Sequence, residues 1–267
     1  MDLGLGGAAA VVSGASKGMG RATAQCLAED GARVCVLARG QKALDQAVAE
    51  LKDAGSPDAF GLSLDLGDAD AIESAFAQVG ARWGELNCLV NTVGPEAGHF
   101  FELSDDDFFA HFNLGTMSAV RCVRAALPLL RKAEWARIVN VSAHSTQRQA
   151  PNLISYTAAK SALTSISKNL AKTLAPERIL VNTVSPGTFL SATFTERLRP
   201  VLAKKGYDAS DPVQVNQWIK EEYAEPADLG RAGLVEEIGS VIAFLVSKRN
   251  SYMTGANVNV DGGSDFT

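Results

Sequence analysis

Positive charge is in short supply in this chain: 25 Lys and Arg stand against 30 Asp and Glu over 267 residues, for a net charge of −5. A protein that grips a phosphate backbone needs clustered positive charge, so nucleic acid is not an expected partner. Cysteine is scarce as well. Cys26, Cys35, Cys88 and Cys122 show no Cys-x-x-Cys spacing and have no His beside them, which argues against a zinc cage or a redox pair; no metal is expected. They read as small buried apolar residues. No apolar run reaches the roughly 18 residues that span a bilayer. The segment from Leu3 to Ser13 has neither a basic n-region nor a cleavage pattern, so no membrane association and a cytoplasmic location are expected. Repeats, low-complexity tracts and linkers are also missing, which leaves no boundary for a second domain.

What is present is a globular composition, 46% hydrophobic, in a chain long enough to bury one large core. Short Ala- and Val-rich runs alternate with longer amphipathic stretches, the rhythm of an α/β chain. Ala8 to Ser13, Arg33 to Ala38, Phe60 to Leu64, Leu86 to Asn91, Arg137 to Ser142, Leu180 to Val184 and Asn257 to Val260 read as seven strands. Most are apolar throughout, so both faces are covered and the sheet is parallel. Met19, Ala22, Cys26 and Leu27 recur at helical spacing, as do Leu163, Ile166, Leu170 and Leu174, and Val235, Ile238, Ile242 and Leu245. A further helix opens at Ser104, capped by its hydroxyl and by Asp105, Asp106 and Asp107, and runs past Asn113 toward Pro128. The fold expected over residues 1–267 is one α/β, doubly wound (Rossmann) domain: a seven-stranded parallel sheet with helices on both faces. Residues 191–230, with Pro200, Pro212 and Pro226, break the alternation and read as a flap over a substrate site.

The first strand runs into Ser13-Gly14-Ala15-Ser16-Lys17-Gly18-Met19-Gly20 and then a helix. Glycines permit a tight turn and close backbone approach, and the helix N-terminus offers free N–H groups and positive dipole to a pyrophosphate. The alternative is an ordinary strand-to-helix turn in a glycine-rich chain. At the tip of the second strand stands Leu37-Ala38-Arg39, with no carboxylate for a free ribose diol. Arg39 and Lys17 together make a cradle for the 2′-phosphate of NADP(H), with NAD(H) the second choice.

Tyr156-Thr157-Ala158-Ala159-Lys160 opens a later helix. Residues four apart share a helix face, so the Lys160 ammonium can lie beside the Tyr156 phenol. A phenol of pKa near 10 must fall roughly 3 units to exchange protons near neutrality, which asks about 4 kcal/mol of its surroundings. The alternative is a helical Tyr packed on a Lys stem.

This set resembles the short-chain dehydrogenase/reductase family over essentially the whole chain. Ser13-Gly14-x-x-x-Gly18-x-Gly20 is similar to the family's T-G-x-x-x-G-x-G turn. Asp65, with Leu66, matches the acidic position that contacts adenine, and Asn91-Thr92-Val93-Gly94 stands where the family has N-N-A-G. Asn113 falls at the catalytic Asn, and Tyr156 and Lys160 match Y-x-x-x-K. Pro186-Gly187-Thr188-Phe189-Leu190-Ser191 resembles the stretch that binds the nicotinamide amide, and Val260-Asp261-Gly262-Gly263 the C-terminal V-D-G-G.

The resemblance implies hydride transfer between nicotinamide and a carbonyl or secondary alcohol. Tyr156 would exchange the proton, Lys160 would lower its pKa and hold the ribose, and Asn113 would anchor a water. It implies cofactor contacts from Gly14, Ser16, Lys17, Gly18, Met19, Gly20, Arg39, Asp65, Leu66, Asn91, Gly94, Tyr156, Lys160, Pro186, Gly187, Phe189 and Ser191. It also suggests a homotetramer. The family's catalytic Ser would fall on Ala143, which has no hydroxyl. Ser142 precedes it and Ser145 follows; Ser145 shares the face of position 143 if the chain stays extended. Pro95, Glu96, His144, Gln147, Phe189, Leu190 and Phe194 are expected around the substrate cleft. A cofactor-binding protein without turnover is the competing reading, because two of the motifs are altered.

Overall fold

The strands carry apolar side chains toward both faces, so each can be covered only by packing helices above and below. The computed structural model describes residues 2–223 and 226–264. Strands β1 (Ala9–Ser13), β2 (Arg33–Ala38), β3 (Ala59–Ser63), β4 (Cys88–Asn91), β5 (Ala136–Val141) and β6 (Ile179–Pro186) form one sheet with β9 (Asn257–Val260). The order is β3-β2-β1-β4-β5-β6-β9, and every pairing is parallel. Two short strands, β7 (Phe189–Leu190) and β8 (Gly233–Leu234), pair separately.

Alternate residues of each strand feed two cores. Ala10, Val12, Val34, Val36, Val90 and Val139 pack under α1 (Gly18–Glu29), α2 (Gln41–Asp53) and α9 (Val235–Val246). Val11, Cys35, Leu37, Leu89, Ile138 and Val181 pack on the opposite face under α3 (Ala69–Trp83), α5 (Ser118–Leu130) and α6 (Ile154–Leu174). This period-two division places helices on both sides of a sheet with no wet face. Cys35, Cys88 and Cys122 are buried, Cys26 is partly so, and all four are free thiols.

Most strand boundaries lie within a residue or two of those expected from the sequence. The helix from Ser104 departs from expectation. Ser104 caps α4 (Asp105–Phe112) in a reciprocal box with Asp107, but the helical path then widens into a π turn at Asn113–Met117 before α5 begins. The turn coincides with close packing. A Cβ on Gly115 would lie 2.9 Å from both Ala159 and Pro95, and the Thr116 hydroxyl donates to the Ala159 carbonyl at 2.7 Å. A regular α-helix here would have to carry these contacts with one fewer residue in the turn.

A lateral chain of buried polar groups runs below the strand ends. Ser13 Oγ donates to Asn91 Oδ1, Asn91 Nδ2 to Asn140 Oδ1, Asn140 Nδ2 to Ser167 Oγ, and Ser167 Oγ to the Leu163 carbonyl. It fixes α6 to β1, β4 and β5. Residues 191–223 and 226–230 carry α7 (Ala192–Lys204) and α8 (Pro212–Tyr223), which share a separate apolar cluster around Leu202, Val215, Trp218 and Ile219. Positions 224 and 225 of the expected flap, and positions 1 and 265–267 of the expected domain, lie outside the described residues.

Candidate active site

The strand order reverses between β1 and β4, the place where an open α/β sheet leaves a crevice at its carboxyl edge. Two adjoining cavities, of about 520 and about 440 Å³, lie there and share Gly14, Lys17, Thr92 and Gly94 in their walls. Gly14 turns the chain at φ 74°, and a Cβ on it would sit 2.7 Å from Thr92 Oγ1. A Cβ on Gly20 would meet the same oxygen at 2.6 Å. The turn therefore closes only without side chains at these positions. Thr92 Oγ1 donates in turn to the Ser13 carbonyl at 2.6 Å, tying the ends of β1 and β4 together. Thr92 was visible in the sequence only as a departure from N-N-A-G, and its hydroxyl bridge accounts for its presence.

The smaller cavity is lined by Gly14, Ser16, Lys17, Ala38, Arg39, Asp65, Leu66 and Gly94, among others. Lys17 and Arg39 are exposed, and neither side chain has a hydrogen bond or ion pair among the described residues. Two unpaired cations facing one cavity, beside glycines whose absent side chains leave a cradle, fit a dinucleotide bearing an extra phosphate. Asp65 Oδ1 accepts from the Gly67 amide at 2.8 Å.

The larger cavity brings together Lys17, Met19, Gly20, Gly94, Ser142, Ala143, Ser145, Tyr156, Lys160, Pro186, Gly187, Phe189 and Ser191. Of the expected substrate-cleft residues, Pro95, His144, Phe189 and Phe194 line it, while Glu96, Gln147 and Leu190 line neither cavity. Ala97, Leu153, Thr188, Thr193 and Arg197 line it too, and the sequence reading missed them.

Three expected site residues stand outside the walls of both cavities. Asn91 turns its side chain into the polar chain under the sheet. Gly18 packs with its α-carbon near Ser191, where a Cβ would come within 3.6 Å of the Ser191 Cβ. Asn113 donates from Nδ2 to the Gly67 carbonyl at 3.2 Å and accepts from Arg121 at 2.6 Å.

Lys160 is 1% exposed, and its ammonium donates to the carbonyls of Val93 at 2.8 Å and Val141 at 2.7 Å. Burial pushes Lys160 down to about 7 and Tyr156 up to about 12. The Tyr shift runs opposite to the direction that the sequence reading required of the pair.

The two serines separate clearly. The Ser142 hydroxyl is bonded to the Lys160 carbonyl at 3.1 Å and to Thr164 Oγ1 at 2.7 Å. The chain does not stay extended past Ala143 but enters a 3-10 turn at His144–Thr146, so the strand-alternation argument for Ser145 does not apply. Ser145 Oγ instead accepts from Thr157 Oγ1 at 2.9 Å, which leaves its own proton free. His144 is held by a 3.1 Å contact between Nδ1 and the Pro186 carbonyl. Among the described residues no group of His, Cys, Asp and Glu could hold a metal, and no helix is long and apolar enough to cross a membrane.

Comparison with known proteins agrees with this geometry. The sequence profile described as Enoyl-(Acyl carrier protein) reductase matches residues 14–265. The uncharacterized oxidoreductase YvrD of Bacillus subtilis is 30% identical over 267 residues, covering 98% of each chain. The 3-oxoacyl-[acyl-carrier-protein] reductase FabG of Haemophilus influenzae is 30% identical over 258 residues, covering 96% of this chain and 98% of its own. L-sorbose reductase of Gluconobacter frateurii, solved with NADPH and L-sorbose, superposes with a TM-score of 0.93 at 27% identity over the whole of both chains. Single-domain fold, switch-point cleft and relatives together place the chain in the short-chain dehydrogenase/reductase family of oxidoreductases, which act on carbonyl and alcohol groups.

Proposed function

We propose that the chain is an NADP(H)-dependent oxidoreductase that exchanges hydride with a ketone or secondary alcohol, with Tyr156 exchanging the proton. The observation that carries this reading is the placement of Tyr156 and Lys160 in a cavity that adjoins the one lined by the unpaired Lys17 and Arg39. The NADPH in the related sorbose reductase supports the same cofactor. The cofactor supplies hydride at its nicotinamide ring. Arg39 and Lys17 hold the 2′-phosphate, and the turn from Gly14 to Gly20 receives the pyrophosphate. Asp65 and Leu66 border the adenine side, and Pro186, Gly187, Phe189 and Ser191 the nicotinamide side. Asn113 acts by position, fastening the π turn that seats α6. Ser145 supplies the hydroxyl absent at Ala143, because its proton is uncommitted whereas Ser142 is engaged with α6. The segment 191–230 closes over the substrate as a flap.

The chain also assembles as a homo-oligomer on this reading, a tetramer by family resemblance. Phe101 is 96% exposed and Phe109 73%, with Phe100 and Phe112 also in solvent on the same stretch, an apolar display that water disfavours on a lone protomer. Sedimentation at micromolar concentration should give a tetramer; a monomer would remove this part of the reading.

Replacing Arg39 with Ala should weaken NADPH roughly tenfold or more while leaving NADH nearly unchanged, since a charge-assisted contact to the 2′-phosphate is lost. Cofactor titrations measure it, and equal affinities for NADPH and NADH in the unaltered protein would end the claim.

Tyr156→Phe should lower kcat in a carbonyl panel read at 340 nm by roughly 10²–10⁴-fold, the range for losing a general acid, with NADPH binding kept. Ser145→Ala should cost roughly 10–100-fold, equivalent to about 1.4–2.7 kcal/mol, and Ser142→Ala less. Full activity in the Phe variant would assign the proton to another group.

Lys160 gives a pH signature. Its folded value near 7 lies below the ordinary 10.5, so between these values the unfolded chain binds more protons and stability rises with pH. The penalty is fully present below pH 7 and fades as pH climbs toward 10. Urea midpoints of the ligand-free protein at pH 6 and pH 9 should show this rise, and Lys160→Met should lose it; a parallel rise in the Met variant would assign it elsewhere.

A further inference from the structure

The larger cavity has an electrical bias that the cofactor does not use up. Among the described residues its walls hold Lys17, Lys160, His144 and Arg197 but no Asp or Glu, in a chain with five more acidic than basic side chains. Lys17 and Lys160 serve the cofactor and the proton path in the proposed oxidoreductase. Arg197 is left over. It stands on α7 four residues after Thr193 and three after Phe194, so the three share one helix face, and all three line the cavity. Arg197 is exposed and has no hydrogen bond or ion pair among the described residues. The acids of neighbouring α8 are engaged: Glu222 pairs with Lys205, and Glu221 accepts from Tyr207.

A guanidinium that faces a concave, carboxylate-free wall attracts anions, because low-dielectric surroundings focus its field, and its planar fork matches a carboxylate or phosphate in two hydrogen bonds. We propose that Arg197 determines substrate specificity: the substrate reduced or oxidised at Tyr156 carries a carboxylate or a phosphate away from its reacting carbon, and Arg197 binds that group. This rests on the reductase reading and narrows it from carbonyl compounds at large to oxo acids or phosphorylated ketones. The shared chemistry is a compact oxyanion presented by α7, and the two sources are separable by experiment.

The test uses two matched pairs: levulinate with its methyl ester, and dihydroxyacetone phosphate with dihydroxyacetone. Binding of each to the full-length protein saturated with NADP+ is measured by calorimetry, which does not require turnover. At least one charged member should bind about tenfold or more tightly than its neutral twin, as expected for a charge-assisted fork. Whichever pair shows the difference names the anion. Arg197→Ala should erase the preference and Arg197→Lys should retain part of it, with the neutral twins and the NADPH dissociation constant moving less than about twofold, since none of their interactions involves the guanidinium.

Neutral members binding as tightly as charged ones, or neither charged member binding, would overturn the proposal. So would an Arg197→Ala variant that loses NADPH as strongly as the anion, which would assign Arg197 to the cofactor's pyrophosphate. Failure of the underlying reductase reading looks different: NADPH binds, yet no carbonyl compound oxidises it, whatever the charge preference.

Discussion

The cleft is organised by one buried lysine. Lys160 spans from α6 to the ends of two strands, donating to the Val93 carbonyl just past β4 and to the Val141 carbonyl at the end of β5. Each carbonyl thereby gains a charged donor, and the end of α6 that carries Lys160 is tied to two neighbouring strands. Because Lys160 fixes its helix against them, Tyr156, one turn earlier, is set into the same cavity. Thr116 ties the π turn to the Ala159 carbonyl from the other side. The helix bearing Tyr156 and Lys160 is thus pinned by hydrogen bonds at adjacent residues from two directions.

The polar chain from Ser13 through Asn91, Asn140 and Ser167 to Leu163 serves the same helix about two turns deeper. Buried amides in an apolar sheet are costly unless every group is paired, and paired they specify register as apolar contacts cannot. Asn91 sits opposite Ser13 on one side and Asn140 on the other. A slip of β4 would break both of Asn91's hydrogen bonds and turn the strand's apolar residues to the wrong core. In this chain Asn91 therefore bears on sheet alignment, and it stands outside the walls of both cavities.

Legibility in the sequence followed the range of the forces involved. Strand and helix positions were readable because alternation and helical spacing are local and repeated, as in Val34 and Val36 against Cys35 and Leu37. Tyr156, Lys160, Lys17 and Arg39 were readable because their spacing is fixed by a turn or a strand tip. The π turn at Asn113 was not, since it answers to Ala159 and Pro95, more than forty and nearly twenty residues distant in the chain. Nor was the fate of Ser145, which depended on whether the chain turned after Ala143. Thr193 and Arg197 escaped because a helix face reaches a cavity only through tertiary placement of α7.

The same burial that positions the pair sets its electrostatics. With Tyr156 raised to about 12 and Lys160 lowered to about 7, ligand-free protein keeps the proton on the phenol and leaves the amine poorly charged. Bringing a phenol from about 12 to neutrality takes about 7 kcal/mol, at 1.36 kcal/mol per unit. A half-charged Lys160 already committed to two carbonyls is a weak source for that sum. On the proposed reading, the positive charge of an oxidised nicotinamide would supply part of the remainder when an alcohol is oxidised; in the reducing direction no such lowering is needed, because the neutral phenol would give its proton to the substrate oxygen. On that reading Tyr156 exchanges its proton only when the cleft is filled. Among the described residues the cavity wall holds no carboxylate, and an acid there would push the phenol higher still.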